Sequence, residues 1–294
     1  MFVIAVVGLG APVATWQQST PPASQAPPAT EVYLTDLGGF GIINISNSPG
    51  YDNQPSFLPD GKSILFASNR DGRQTDIYRY ELASKSLTQL TRTAESEYSP
   101  LVAPDATSFS VVRVEADNTQ RLWRFDLDGS NPRLVLTDVK PVGYHVWIDA
   151  THLGLFVLGG PGQPNTLQIA DTASGKAEVI ASTIGRGLFM RPGRKTLSFV
   201  SKQSTPWMIK ELDPATRATT DVAPVVDGSE DYAWDPVSPD RVYMARGSKL
   251  FSFRNGVWAE VVDFSAGRVG NITRLAMGPR GSNQLAIVGE PIAR

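Results

Sequence analysis

The chain has 294 residues, 41% of them hydrophobic, and a formal net charge of −2 from 27 basic and 29 acidic side chains. That length can bury a sizeable core, while so even a balance of charge supplies neither the basic stripe that nucleic acid requires nor a polybasic membrane contact. Cysteine is absent, which removes disulfides, thiolate metal sites and a thiol nucleophile; with only His145 and His152, a three-histidine zinc site cannot be assembled from this chain.

In chain order, residues 1–16 open with an almost wholly apolar run, MFVIAVVGLGAPVA. It is shorter than the ~20 residues of an ordinary transmembrane helix and reads as the apolar region of a secretory signal peptide or as an N-terminal apolar segment. Residues 17–30 (QQSTPPASQAPPAT) are a Pro/Ala/Ser-rich stretch that predicts an extended linker, so the folded unit is expected over 31–294.

A repeat then organises the rest. From Gln54 the sequence reads as four strands: a short first strand at 55–58, the turn Pro59-Asp60-Gly61, a buried second strand at 63–68 (SILFAS), the loop Asn69–Gly72, an alternating third strand at 76–82 (DIYRYEL) and a fourth at 86–91 (SLTQLT). The turn position recurs every 43–45 residues, at Pro59, Pro104, Asp149, Pro192, Pro236 and Pro279. A period near 40–45 residues with four strands per unit is the mark of a propeller blade. After Pro279 only two strands remain, but Val32–Leu37 (VYLTDL) and Ile42–Ser46 (IINIS) match the third and fourth strands of the unit. The expected fold is therefore an all-β, six-bladed propeller of four-stranded blades, five whole and one split between the N- and C-terminal strands. Such a split closes the ring and removes sheet edges.

The run PSFLPDGKSILFASNRDG followed by DIYRYEL resembles the WD40-like (PD40) repeat of TolB-type β-propellers, and NSPGYDNQPSF resembles their blade-to-blade junction. The resemblance spans 31–290, with the full motif only at 54–98; elsewhere the Gly of the turn is lost (Asp105-Ala106, Asp149-Ala150) or displaced. It implies a propeller and an envelope location, periplasmic or secreted. TolB proteins carry an additional N-terminal α/β domain, which is not expected where a linker precedes the first strand, so the Tol–Pal partnership is not carried over. The same repeat also builds the non-catalytic propeller of some serine peptidases.

Chemistry-bearing residues are sparse. No G-x-S-x-G elbow occurs, and Gly159-Gly160-Pro161-Gly162 lacks the following Lys-bearing helix of a phosphate loop, so it reads as a turn. His145, beside Tyr144, falls at the start of an innermost strand and is expected at the channel mouth as a ligand contact or a rim residue; His152 reads as structural. By repeat phase the loops entering the blades collect Asp52, Glu95, Glu97, Asp227, Glu230 and Asp231 on one face, together with Arg186 and Arg274. Phe57, Trp147 and Trp234 share a phase inside the first strand and read as core, whereas Tyr98, Tyr144 and Tyr232 read as surface candidates. The expected ligand- or partner-binding set at the channel mouth is Asp52, Glu97, Tyr98, Tyr144, His145, Arg186, Glu230, Asp231 and Arg274. No catalytic residue, metal ligand or cofactor is assigned. These readings favour a non-catalytic, monomeric propeller that binds an envelope protein or peptide through its funnel face. The alternatives are a propeller enzyme, such as a metal-assisted lyase or hydrolase on a sugar or lactone, and a detached propeller partner of a peptidase.

Overall fold

The computed structural model describes residues 29–292. The expected signal segment and nearly all of the expected linker lie outside the described residues. Six four-stranded antiparallel sheets form the six blades, and apart from strands the described residues have one short 3-10 turn at Phe264–Gly267. Each blade starts with an innermost strand beside the central channel: Asp52–Phe57, Ser96–Val102, Val142–Trp147, Ile184–Met190, Tyr232–Trp234 and Val269–Met277 for blades 1 to 6.

Blade anatomy follows from hydrophobicity. The second strands, such as Ser63–Ser68 and Leu197–Ser201, are buried at every position, their serines included, as in a strand covered on both faces. Outer strands such as Thr219–Pro224 begin with exposed polar residues. Each of the six blade interfaces has its own core cluster. Val32, Ile64, Phe66 and Val288 join blade 6 to blade 1, for example, and Val200, Ile209, Val242 and Met244 join blade 4 to blade 5. The core of the described residues is divided among these interfaces, so stability is distributed around the ring.

The closing blade is split as the repeat predicts. Its sheet order places Ile43–Asn44 and Glu31–Asp36 beside Gln284–Pro291 and Val269–Met277, and Glu31–Asp36 pairs in register with residues 284–289. Thr30, expected in the linker, belongs to the fold. It is buried, bridges Tyr51 in parallel, and its hydroxyl donates to the Asp52 carbonyl at 2.9 Å, tying the N-terminal strand to blade 1.

Candidate functional site: the polar mouth of the channel

The six innermost strands enclose a cavity of about 480 Å³. Its two ends differ in chemistry: polar side chains gather at one end and the turns that close the innermost strands lie at the other. Gln54, Ser99, Tyr144, Arg186, Asp231 and Arg274 line one end, and the turn residues Pro59, Pro192, Pro236 and Pro279 line the other. Phe57, Val146, Met190, Trp234 and Met277 form apolar wall along the way.

The polar end is shaped by bulges. The register of blade 1 jumps between Asn53 and Ser56, and that of blade 2 between Tyr98 and Leu101. Gln54 (φ 58°) and Ser99 (φ 52°) sit there in the left-handed region, an uncommon conformation for a residue with a side chain. The bulges let Gln54 Oε1 accept from the Ser99 backbone N–H at 2.8 Å, joining blade 1 to blade 2 at the mouth. Gly187 holds the corresponding place in blade 4, where a Cβ would lie 2.6 Å from the Glu230 carbonyl oxygen; its lack of a side chain lets blades 4 and 5 close up.

Three charged side chains meet at this end. Arg274 donates to Tyr144 Oη at 2.7 Å and pairs with Asp231 at 3.2 Å, while Asp231 also accepts from the Leu275 backbone N–H at 2.9 Å. Arg274 stands in blade 6 and Tyr144 in blade 3, so this side chain spans the ring. Arg186 of blade 4 donates to the Thr273 carbonyl of blade 6 at 2.8 Å. Tyr51, at the start of blade 1, feels both arginines and the hydroxyls of Tyr98 and Tyr144; burial nevertheless raises its phenol well above the ordinary range. No sequence signal marked Tyr51, Gln54 or Ser99 for this place.

Of the other expected members of the mouth, Asp52, Glu97, Tyr98 and Glu230 do not line the cavity. Asp52 and Glu97 are not loop residues, because the innermost strands begin earlier than expected and take both in. They are fully buried, and each pairs with an arginine of its own blade: Asp52 with Arg70 at 3.4 Å and Glu97 with Arg113 at 3.0 Å, Glu97 and Arg113 being direct cross-strand partners. Arg70 lies over Tyr78 and Arg113 over Trp123, at 4.5 and 4.3 Å from the ring centroids. Burial pushes the Asp52 carboxyl up to about 6 and that of Glu97 up to about 7, against the pull of their hydrogen-bond donors and arginines. The folded state thus holds these protons more tightly than the unfolded chain, and ionising the pair costs stability as pH rises from about 4 to 7. Tyr98 packs edge-on to Tyr51 at 6.1 Å and accepts from Thr75 Oγ1 at 3.2 Å, between blades 1 and 2. Glu230 binds Lys202 at 2.5 Å and accepts from the Arg186 backbone N–H at 3.3 Å. Of the wider carboxylate set, Glu95 pairs with Arg113 at 3.5 Å and Asp227 with Arg246 at 2.6 Å. Tyr232, expected at the surface, is fully buried.

His145 lines the cavity but is anchored behind it. Its Nε2 lies 2.6 Å from Ser110 Oγ, which also accepts from Trp147 Nε1 at 3.0 Å and lies 3.2 Å from the Leu101 carbonyl oxygen. Blades 4 and 5 repeat this arrangement: Tyr232 Oη and Trp234 Nε1 donate to Ser198 Oγ at 2.9 and 2.8 Å, and Ser198 donates to the Phe189 carbonyl at 2.9 Å. A hydroxyl has one hydrogen. If Ser110 spends it on Leu101, as Ser198 does on Phe189, then His145 must carry its proton on Nε2 and stands where tyrosine stands in the repeat. Burial holds the imidazole down at about 3, hence neutral at physiological pH. Nitrogen-15 NMR is expected to show the Nε2–H tautomer of His145 at pH 7 with no protonation above pH ~4. The sign of the linkage is opposite to that of Glu97. The unfolded chain takes up a proton below the ordinary histidine value of 6.5, so this site loses stability as pH falls from there toward 3. A His145 resonance that titrates near 6.5 would refute the buried staple.

Phe57, Trp147 and Trp234 divide. Trp147 and Trp234 are buried between blades, as their shared phase predicts, and Trp234 and the half-buried Phe57 also present surface to the cavity. Among the described residues no group of three or more His, Asp and Glu side chains is placed to hold a metal ion, and no helix is long and apolar enough to cross a membrane.

A closed ring of six four-stranded blades around a cavity with one polar mouth defines a six-bladed β-propeller. Within it, residues 23–143 match the family model of the TolB beta propeller domain. Among curated proteins it is similar to the Tol-Pal system protein TolB of Bordetella pertussis, with 43% identity over 44 residues, 15% of this chain and 10% of that relative. The match thus spans about a tenth of the length of that relative. An uncharacterized protein of Agrobacterium fabrum is 26% identical over 108 residues, 34% of this chain and 36% of the relative. Among solved structures, a TolB-named protein from Agrobacterium tumefaciens superposes with a TM-score of 0.71 at 16% identity, covering 90% of this chain and 99% of the other. An oligogalacturonate lyase in complex with manganese gives 0.57 at 13% identity, covering 85% and 80%. A gluconolactonase from Xanthomonas campestris gives 0.61 at 13% identity, covering 92% and 99%. At these identities the structural likenesses establish the fold, which binding proteins and enzymes share.

Proposed function

We propose that this propeller is a binding module of the bacterial envelope, periplasmic or secreted, whose polar channel mouth holds a protein or peptide partner. The observation that carries this reading is the convergence of Tyr144, Arg186, Asp231 and Arg274, from four different blades, at one end of a cavity with apolar walls. A few placed polar groups above an apolar surface are the ordinary composition of a recognition site. The name of the curated relatives supports the envelope location. The contact set is narrower than the sequence suggests: Asp52 and Glu97 act within their blades, and the mouth is left to Gln54, Ser99, Tyr144, Arg186, Asp231 and Arg274. Replacing Gln54 by Ala or Arg186 by Gln is expected to weaken capture of an envelope partner about tenfold with little change in Tm. Unchanged affinity in both variants would contradict the assignment.

The enzyme reading rests on fold likeness to the lyase and the gluconolactonase. Stoichiometric divalent metal in the purified protein, measured by elemental analysis, would favour it over the binding module.

A further inference from the structure

The charges of the cavity do not cancel. Its charged lining side chains are Arg186, Asp231 and Arg274, beside a neutral His145. Asp231 and Arg274 satisfy one another at 3.2 Å, and the remaining Asp231 oxygen is taken by the Leu275 N–H. Arg186 has no carboxylate within ion-pair distance among the described residues; its guanidinium reaches only the Thr273 carbonyl, and its Nε is buried without an acceptor. The nearby Glu230 is committed to Lys202 and to the Arg186 backbone. One half-buried guanidinium therefore faces the cavity with no ion-pair partner of its own, the nearby Asp231 being bonded to Arg274. Such a group is costly to leave uncompensated and gains most from a charge-assisted, two-pronged bond to a carboxylate. Beyond it the walls turn apolar through Val146, Met190, Trp234 and Met277, and the cavity volume falls within the ~300–1,000 Å³ of small-ligand sites.

We infer that the cavity takes an amphipathic monocarboxylate, its carboxylate on Arg186 and its apolar body along the channel toward the ring of turn prolines. This rests on the reading of the channel as a binding site and names what that site recognises. Two sources share the chemistry, a free apolar acid and the C-terminal carboxylate of an apolar peptide segment.

Calorimetry on the purified full chain tests it with octanoate against 1-octanol, and with the peptide acetyl-Leu-Met-Phe-Val as free acid against its C-terminal amide. At least one acid is expected to bind saturably and about tenfold or more tightly than its neutral counterpart, with affinity falling as salt rises. Saturable binding of octanoate alone identifies a free acid, and binding of the peptide acid alone identifies a chain terminus. Arg186→Gln should erase the preference for acid while leaving binding of the neutral ligand in place, and Arg186→Lys should retain part of it. Equal binding of acid and neutral ligand, or a preference that survives Arg186→Gln, overturns the inference but leaves the channel as a binding site. Failure of every ligand to bind saturably also overturns it. The comparison of acid with neutral ligand on the unaltered protein stands even if a variant does not fold.

Discussion

Asp231→Ala should be among the most destabilising single changes in the chain. Asp231 is almost wholly buried, and it holds Arg274 by an ion pair at 3.2 Å and the Leu275 backbone by a hydrogen bond at 2.9 Å. Burial raises its carboxyl, and Arg274 and Arg186 pull it back. Removing one member of a buried pair strands the other charge, at a cost of ~3–5 kcal/mol, far more than the net worth of the pair itself. For a domain of this size that corresponds to a fall in Tm of roughly 6–15 °C. The double variant Asp231→Ala with Arg274→Met removes both charges and should recover much of the loss. Thermal denaturation followed by circular dichroism decides it. A single variant within about 2 °C of the parent would mean that water already screens Arg274.

Tyr232→Ala should cost a similar ~3–5 kcal/mol by a different route. The ring is fully buried between blades 4 and 5, edge-on to Phe189 at 4.8 Å and to Trp234 at 6.3 Å, and its hydroxyl donates to Ser198. Truncation opens a cavity at an interface whose core cluster is its own, so neighbouring blades cannot close over it. Tyr232→Phe keeps the volume and loses one hydrogen bond, for about 1 kcal/mol. The contrast between the two, read from thermal denaturation, separates packing from hydrogen bonding at this interface. Equal losses would contradict the packing account.

Much of the fold was legible because the repeat obeys local chemistry. Turns at Pro59, Pro104, Pro192, Pro236 and Pro279 need residues that preset the backbone, and the second strands need continuous apolar runs, so both write themselves into the sequence. The split blade was legible for the same reason: VYLTDL at Val32–Leu37 repeats the third-strand pattern of DIYRYEL at 76–82. The site was less legible because repeat phase places a residue on a strand only to within a position or two, while a one-residue shift turns a side chain to the other face. Tyr144 stands five residues before its turn and faces the channel, whereas Tyr232 stands four before its turn and is buried. The bulges at Gln54 and Ser99 shift this count locally, and nothing in either residue type announces a left-handed backbone. The contact of Arg274 with Tyr144 joins residues 130 apart in sequence, and only the closure of the ring creates it. Asp52 and Glu97 misled because acidic residues near a predicted loop suggest solvent, when each instead has an arginine within its own blade.

The measurement closest to the central claim is photo-crosslinking of the bound partner from single positions on the ring. A photoreactive phenylalanine analogue at Ser99, on the polar mouth, should capture a discrete partner, and Arg186→Gln should diminish that product. The same analogue at Gly193, on the turn at the opposite end of blade 4, should not capture it. Crosslinks of equal yield from both ends, or from Gly193 alone, would contradict the account of the polar mouth as the binding site.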